Sequence, residues 1–373
     1  MEIRQSAVEV LGVSAASNAL PSPQFWRGKR VFLTGHTGFK GGWMALWLQR
    51  LGAQVTGFAL PPETQPALYT LADISTACTS VLDDLRDLNA VQTAIAVAQP
   101  EIVLHLAAQP IVKRAIADPL QTLSSNIIGT ANLLEVLRTC QSVRTILVVT
   151  SDKVYANADD GVAHSESGHL GGKDPYSASK AACEIITRSY AQTYFAFRNV
   201  RVVTARGGNV IGGGDYSDDR IVPDIIRAAQ NNEKPMLRMP QATRPWQHVL
   251  DCLCGYLLYA EALDTGKDLP AALNFGPDFS DPVTVADLTR AMLAALGRST
   301  DFDAQSIQGG VEMATLAIDA SRARQCLNWH DQLKAHKIIE WTAQWYQHVH
   351  QNHSPRDVTL AQIDAYCARN SSA

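Results

Sequence analysis

The apolar run Val31-Phe32-Leu33 stops at Thr34-Gly35, and amphipathic spacing follows from Phe39 to Leu51 before a second strand-like run, Gln54 to Leu60. That pattern is β-α-β. It continues with strand-like runs at Thr79–Leu82, Ile102–Leu106, Thr145–Thr150 and Val200–Ala205. Helical patterns fall near Leu88–Ala98, Leu120–Leu137 and Ala178–Tyr194. Strands alternating with helices predict an α/β fold, a doubly wound parallel sheet covered on both faces. Right-handed crossovers then place a ligand at the carboxyl ends of the strands.

Beyond residue 206 the rhythm changes to glycines, prolines and shorter elements, among them Gly212-Gly213-Gly214, Pro223, Pro235, Pro240 and Pro245. A helix is expected near Leu250–Leu263 and another over Ile338–Val349, where Trp341 and Trp345, four apart, read as core packing. The expected organisation is an extension over residues 1–24 without fixed structure, a Rossmann-type dinucleotide-binding domain over 25–206 and a smaller substrate lobe over 207–373. Leu273–Gly276 is expected to return a strand to the sheet.

Composition narrows the function classes. Of 373 residues 46% are hydrophobic and 18% charged, a globular balance. A net charge of −4 argues against nucleic acid as a partner. Seven cysteines without a CxxC pair give neither a disulfide framework nor a zinc site, so no metal is expected and a reducing cytoplasm fits. Glu9 interrupts the weakly apolar run Ala7–Val13 and no long apolar stretch follows, so neither a signal peptide nor a membrane span is expected.

Two constellations carry chemistry. The first is Thr34-Gly35-His36-Thr37-Gly38-Phe39-Lys40-Gly41, between the first strand and the first helix. Its glycines allow a tight turn and close approach of a pyrophosphate to the positive helix start. His36 and Lys40 are unusual there and are read either as exposed or as added cationic contacts to phosphate or ribose. The second strand ends in Phe58-Ala59-Leu60-Pro61, with neither a carboxylate for a ribose diol nor an Arg for a 2′-phosphate. The missing Arg points to NAD, and the missing carboxylate to loose binding. Asp84-Leu85 either contacts adenine or makes an ordinary turn. The second constellation is Tyr176-Ser177-Ala178-Ser179-Lys180 with Ser151 at a strand end. Tyr176 and Lys180 share a helix face, and the ammonium together with a cationic nicotinamide favours a phenolate base. Ser151 would hold the same substrate hydroxyl.

From Phe25 to Tyr346 the chain resembles the extended short-chain dehydrogenases and, within them, the nucleotide-sugar 4,6-dehydratases. His105-Leu106-Ala107-Ala108-Gln109, Asn126-Ile127-Ile128-Gly129-Thr130 and Ser151-Asp152-Lys153-Val154-Tyr155 are similar to three motifs of that family. Gly35–Gly41, Arg206–Asp215 and Arg244-Pro245-Trp246-Gln247-His248-Val249 narrow the resemblance to its CDP-glucose branch.

The resemblance implies a closed redox cycle on CDP-glucose with NAD as cofactor, serving deoxysugar and lipopolysaccharide O-antigen synthesis. In that cycle Tyr176 takes the O4 proton, Asp152 protonates the departing C6 hydroxyl, and Ser151 and Lys180 assist. Leu106, Ala107 and Ala108 would line the cofactor, Gln109, Asn209, Arg220, Arg244 and Trp246 the substrate. The resemblance also implies a homodimer through Leu120–Leu137 and Ala178–Tyr194. Lys153 stands where the dTDP-sugar enzymes carry a glutamate base. It is either a neutral base or an anchor, and the roughly three-unit pKa shift needed for a base, about 4 kcal/mol, favours the anchor. A 4-epimerase would share the glycine turn and the Tyr-Lys pair but has no need of Asp152. A non-catalytic regulator on this fold would tend to lose Tyr176 or Lys180.

Overall fold

The structure is a computed structural model that describes residues 18–157, 161–278, 283–305, 317–334 and 336–369. Seven parallel strands form its sheet: β1 (Arg30–Thr34), β2 (Gln54–Ala59), β3 (Thr79–Leu82), β4 (Ile102–His105), β5 (Thr145–Val149), β6 (Arg201–Gly207) and a last strand, Ala272–Phe275. Their spatial order is Ala272–Phe275, β6, β5, β4, β1, β2, β3. Every residue of β4 and β5 is buried, as expected of strands covered on both faces. The order reverses between β1 and β4, where Thr34 pairs with Phe58 on one side and His105 on the other. That switch point is where an open parallel sheet leaves a crevice.

The helix Phe39–Arg50 is buried from Gly41 to Leu48, which explains its unbroken apolar and small-residue run. Its Trp43 Nε1 donates to Gly213 O at 2.9 Å, tying the first crossover to the glycine run beyond β6. Two expected helices differ in detail. The stretch Leu120–Leu137 runs as Pro119–Leu123, a widened π turn at Ser124–Ile128, and Gly129–Leu137. Within the turn Asn126 is buried and bonds to the backbone of Gln109 and to Ser179 Oγ. The Tyr176 helix starts at Pro175, three residues earlier than its apolar pattern suggests, because Asp174 caps it by accepting from Ser177 N and Pro175 suits a first turn.

Residues 1–17 of the expected extension lie outside the described residues, whereas 18–24 are built into the fold. Ala19 and Leu20 pack on the core, and Ser22 N donates to Glu261 Oε2 at 2.9 Å. Beyond β6 the chain contributes both to the lobe and to the sheet. The buried helix Val249–Asp264 packs beneath β5 and β6, and Ala272–Phe275 joins β6 in parallel. The helices Ile221–Asn231, Val285–Ala295 and Pro355–Ala368 had not been expected. Among the described residues no helix is long and apolar enough to cross a membrane.

A Cβ on Gly213 would lie 1.9 Å from Trp345 Cγ, so the glycine run and the helix His336–His350 fit only without a side chain there. Gly213→Ala should therefore destabilise the protein by about 1–3 kcal/mol. Thermal melting checks this, and an unchanged midpoint would show that the contact yields freely.

Candidate active site

One cavity of about 1140 Å³ opens along the carboxyl ends of the strands and joins the β1 turn to the lobe. On its dinucleotide side the backbone is closely fitted. Gly35 has φ +79°, and a Cβ there would sit 2.8 Å from Ala107 N. A Cβ on Gly41 would lie 1.9 Å from Gly35 O. Gly38 is the N-cap of the helix Phe39–Arg50 and gives no side-chain cap, so the helix start presents its first N–H groups to the cavity. Such a start accommodates a pyrophosphate. Gly35, Gly38, Phe39, Lys40, Gly41, Asp84, Leu85, Leu106, Ala107 and Ala108 all line this space. The Arg86 guanidinium, 2.5 Å from Asp84, holds that carboxyl below the usual range.

His36 is not a cationic contact. Its ring is buried, lies over Gly57 of β2 and bonds through Nε2 to Ser80 Oγ at 2.7 Å. Burial lowers its pKa to about 4, so it is neutral at neutral pH. Lys40 points the other way, with Nζ 5.8 Å from the Tyr256 ring centroid, and its charge is felt at Asp152 and Lys180. Glu63, four residues past β2, also lines the cavity and is paired with Arg114 at 2.5 Å. It escaped notice because no motif spacing marks it.

At the end of β5, Ser151 caps a single turn, Asp152–Val154. Ser151 Oγ donates to Asp152 Oδ1 at 2.9 Å and accepts from Lys153 N at 3.2 Å. Asp152 is 2% exposed, and its Oδ2 has no hydrogen-bond partner among the described residues. Burial pushes its pKa up against the opposing pull of Lys153, Ser151, Lys40 and Arg244. The carboxyl therefore holds a proton more readily than an exposed aspartate does. Lys153 lines the same cavity.

Tyr176 faces this turn, and its phenol is governed by more than the neighbouring Lys180. Burial raises the phenol to about 12, opposed by a hydrogen bond with Ser151. Lys180 Nζ donates to Val149 O at 3.1 Å, and burial lowers its own pKa. A cationic group bound beside Tyr176 is needed to bring the phenol down.

The substrate candidates divide. Asn209, Arg220, Arg244 and Trp246 line the lobe side of the cavity. Arg220 stands 3.7 Å from Asp215 and its charge favours the Tyr176 phenolate. Arg244 Nη1 donates to Thr243 O, and Trp246 Nε1 to Val283 O at 3.0 Å, so the indole is held by the lobe and mostly buried. Gln109 lines the cavity as well, with its amide already engaged by the turn after β4. Its Oε1 accepts from Ile111 N and its Nε2 donates to Thr122 Oγ1, both at 2.7 Å. The buried turn after β4 uses this side chain to satisfy its own backbone. Among the described residues no group of His, Cys, Asp and Glu is placed to hold a metal.

A glycine turn at the switch point, a Tyr-Lys helix and a serine at the end of β5 together define a dinucleotide-binding α/β protein built for proton and hydride chemistry on an alcohol. The comparisons with known proteins make the class specific. The family model described as GDP-mannose 4,6 dehydratase matches residues 32–342. CDP-glucose 4,6-dehydratase of Salmonella typhimurium is 38% identical over 331 residues, covering 86% of this chain and 92% of that protein. dTDP-glucose 4,6-dehydratase of Mycobacterium tuberculosis is 28% identical, over 74% of this chain and 81% of its own. The fold matches UDP-glucose 4-epimerase of Thermotoga maritima with a TM-score of 0.76, at 18% identity over 86% of this chain and 99% of that one. dTDP-glucose 4,6-dehydratase of Bacillus anthracis, solved with NAD, gives 0.72 at 20% identity, over 87% and 99%. The chain belongs to the nucleotide-sugar 4,6-dehydratase family.

A carboxyl that must carry a proton, and whose pKa is raised, supports turnover on the acid side and loses it as pH rises through that raised value. Asp152→Asn should remove this alkaline limb from the kcat profile and slow turnover by about 10²–10⁴-fold. A variant with the wild-type limb would show that another group is the acid.

Proposed function

We propose that this protein is a lyase that converts CDP-D-glucose to CDP-4-keto-6-deoxy-D-glucose and water, with NAD as its cofactor. The observation that carries the reading is the buried Asp152 carboxyl, its pKa raised by that burial, on the turn that also holds Ser151 and beside Tyr176. The 38% identity to a CDP-glucose 4,6-dehydratase supports the nucleotide and the sugar. The turn Gly35–Gly41, with Asp84 and Leu85, would hold NAD, which when bound would supply hydride transfer from C4 and back to C6, so no external reductant would be consumed.

The chain's own groups handle the protons. Tyr176 removes the O4 proton as C4 is oxidised, and Ser151 holds that oxygen. The C4 ketone acidifies the C5 proton, which passes to a base in the site; its loss and the departure of the C6 hydroxyl form the double bond, and a proton returns to C5 as hydride is added at C6. Asp152 delivers a proton to that hydroxyl, which leaves as water. Lys153, on the same turn, anchors the sugar, while Asn209, Arg244 and Arg220 take the diphosphate, with Arg suited to bidentate contact. An epimerase needs hydride transfer but no acid for a leaving hydroxyl, so Asp152 speaks against it. Retention of both Tyr176 and Lys180 speaks against a non-catalytic regulator.

The enzyme works as a cytoplasmic homodimer in this reading. All seven cysteines are free, as a reducing compartment requires. Leu120 (76% exposed), Ile128 and Ile185 project from the helices expected to pair, and an apolar face of that kind is suited to a second copy.

Deuterium placed at C4 of CDP-glucose should be recovered at C6 of the product. Mass and NMR analysis after turnover checks this. Label retained at C4 or lost to solvent would refute the internal cycle.

A further inference from the structure

Beneath the cavity floor lies a buried polar network that the proton and hydride steps do not use. Glu184 follows Tyr176 by eight residues and Lys180 by four on the helix Pro175–Tyr190, so the three share one face. Its carboxylate is buried and accepts from Thr150 Oγ1 (2.5 Å), Thr204 Oγ1 (2.8 Å), and Arg206 Nε (3.0 Å) and Nη2 (2.8 Å). Arg206, also buried, carries the connection onward. Its Nη1 donates to Tyr155 Oη at 2.8 Å, and the Tyr155 hydroxyl donates to Asn274 Oδ1 at 2.7 Å.

Thr150 and Tyr155 are the residues that bracket the turn Ser151–Val154. The network thus grips the acid-bearing turn at both ends, and the same carboxylate grips the helix that carries Tyr176 and Lys180. Stability does not account for such a device, because a buried ion pair is often matched or bettered by apolar residues of equal volume. What charged and directional bonds give, and apolar contacts do not, is a fixed geometry. We propose that Glu184, through Thr150 and Arg206, is a positioning residue that sets the Tyr176–Lys180 helix against the Ser151–Asp152 turn. The inference rests on the dehydratase reading above, in which proton removal at O4 and proton delivery at O6 act on one bound sugar. Both groups must then be in place together, and misplacement by about 1 Å costs about 10²-fold in rate.

The test uses full-length enzyme with NAD and CDP-glucose. Thr150→Val removes one bond to Glu184 and leaves the Glu184–Arg206 pair intact. It should lower kcat by about 10- to 100-fold, leave KM unchanged and move the melting midpoint by less than about 4 °C. Thr150→Ser, which restores the hydroxyl, should recover most of the rate. Thr187→Val alters a buried threonine on the same helix whose hydroxyl has no partner among the described residues, and should leave kcat as it is. Glu184→Gln should lower kcat as well, even if it also lowers the midpoint. The positioning role is overturned if Thr150→Val keeps the wild-type kcat, if Thr150→Ser fails to restore it, or if Thr187→Val costs as much. Wild-type enzyme that fails to dehydrate CDP-glucose would instead refute the functional reading, and the inference with it.

Discussion

Burial of the Asp152 carboxyl at the end of β5 is the constraint on which the rest of the site depends. A carboxyl taken out of water is strongly disfavoured as an anion unless paired. Here Lys40, Lys153 and Arg244 all pull toward ionisation, and desolvation still prevails. That outcome depends on β5 being an interior strand, covered on both faces, with the turn Ser151–Val154 packed against the helix Pro175–Tyr190 at the edge of the cavity. The same desolvation raises the Tyr176 phenol, so both groups hold a proton more tightly than they would in water.

Close backbone fits join the two sides of the cavity. Gly35 meets Ala107 across the switch point, and Trp43, on the helix after the glycine turn, reaches Gly213 on the lobe side. Gly213 in turn packs on Trp345, and the Tyr346 hydroxyl donates to Asp215 O at 2.6 Å. Dinucleotide turn, glycine run and C-terminal helices are therefore parts of one packed body. A loop so held is positioned by rigid elements, which suits a reaction that moves hydride from C4 to C6 without releasing the sugar.

Much of this was legible in the chain because period and punctuation agree locally. The strands and the Phe39–Arg50 helix follow their apolar patterns to within a residue or two, and the glycine turn sits where β1 ends. Other features are decided by distant residues. His36 reads as a surface cation, but Gly57, on the neighbouring strand, leaves the space into which its ring folds. Gln109 looks like a substrate ligand until Ile111 and Thr122 claim its amide. Pro223 counts among the prolines that mark the change of rhythm, although it stands in the first turn of a helix, where proline is tolerated. The acid role of Asp152 is legible from the family resemblance, but its burial is not, since that is set by what surrounds the turn rather than by Ser151 and Lys153 beside it in sequence.

The central claim, that Asp152 carries the proton it delivers to the leaving hydroxyl, is open to direct observation by infrared difference spectroscopy. Subtracting the spectrum of Asp152→Asn from that of the wild type at neutral pH isolates this one carboxyl. The account predicts a carbonyl stretch of a neutral carboxylic acid that shifts when solvent is exchanged for D₂O. A difference spectrum with carboxylate bands alone would contradict it.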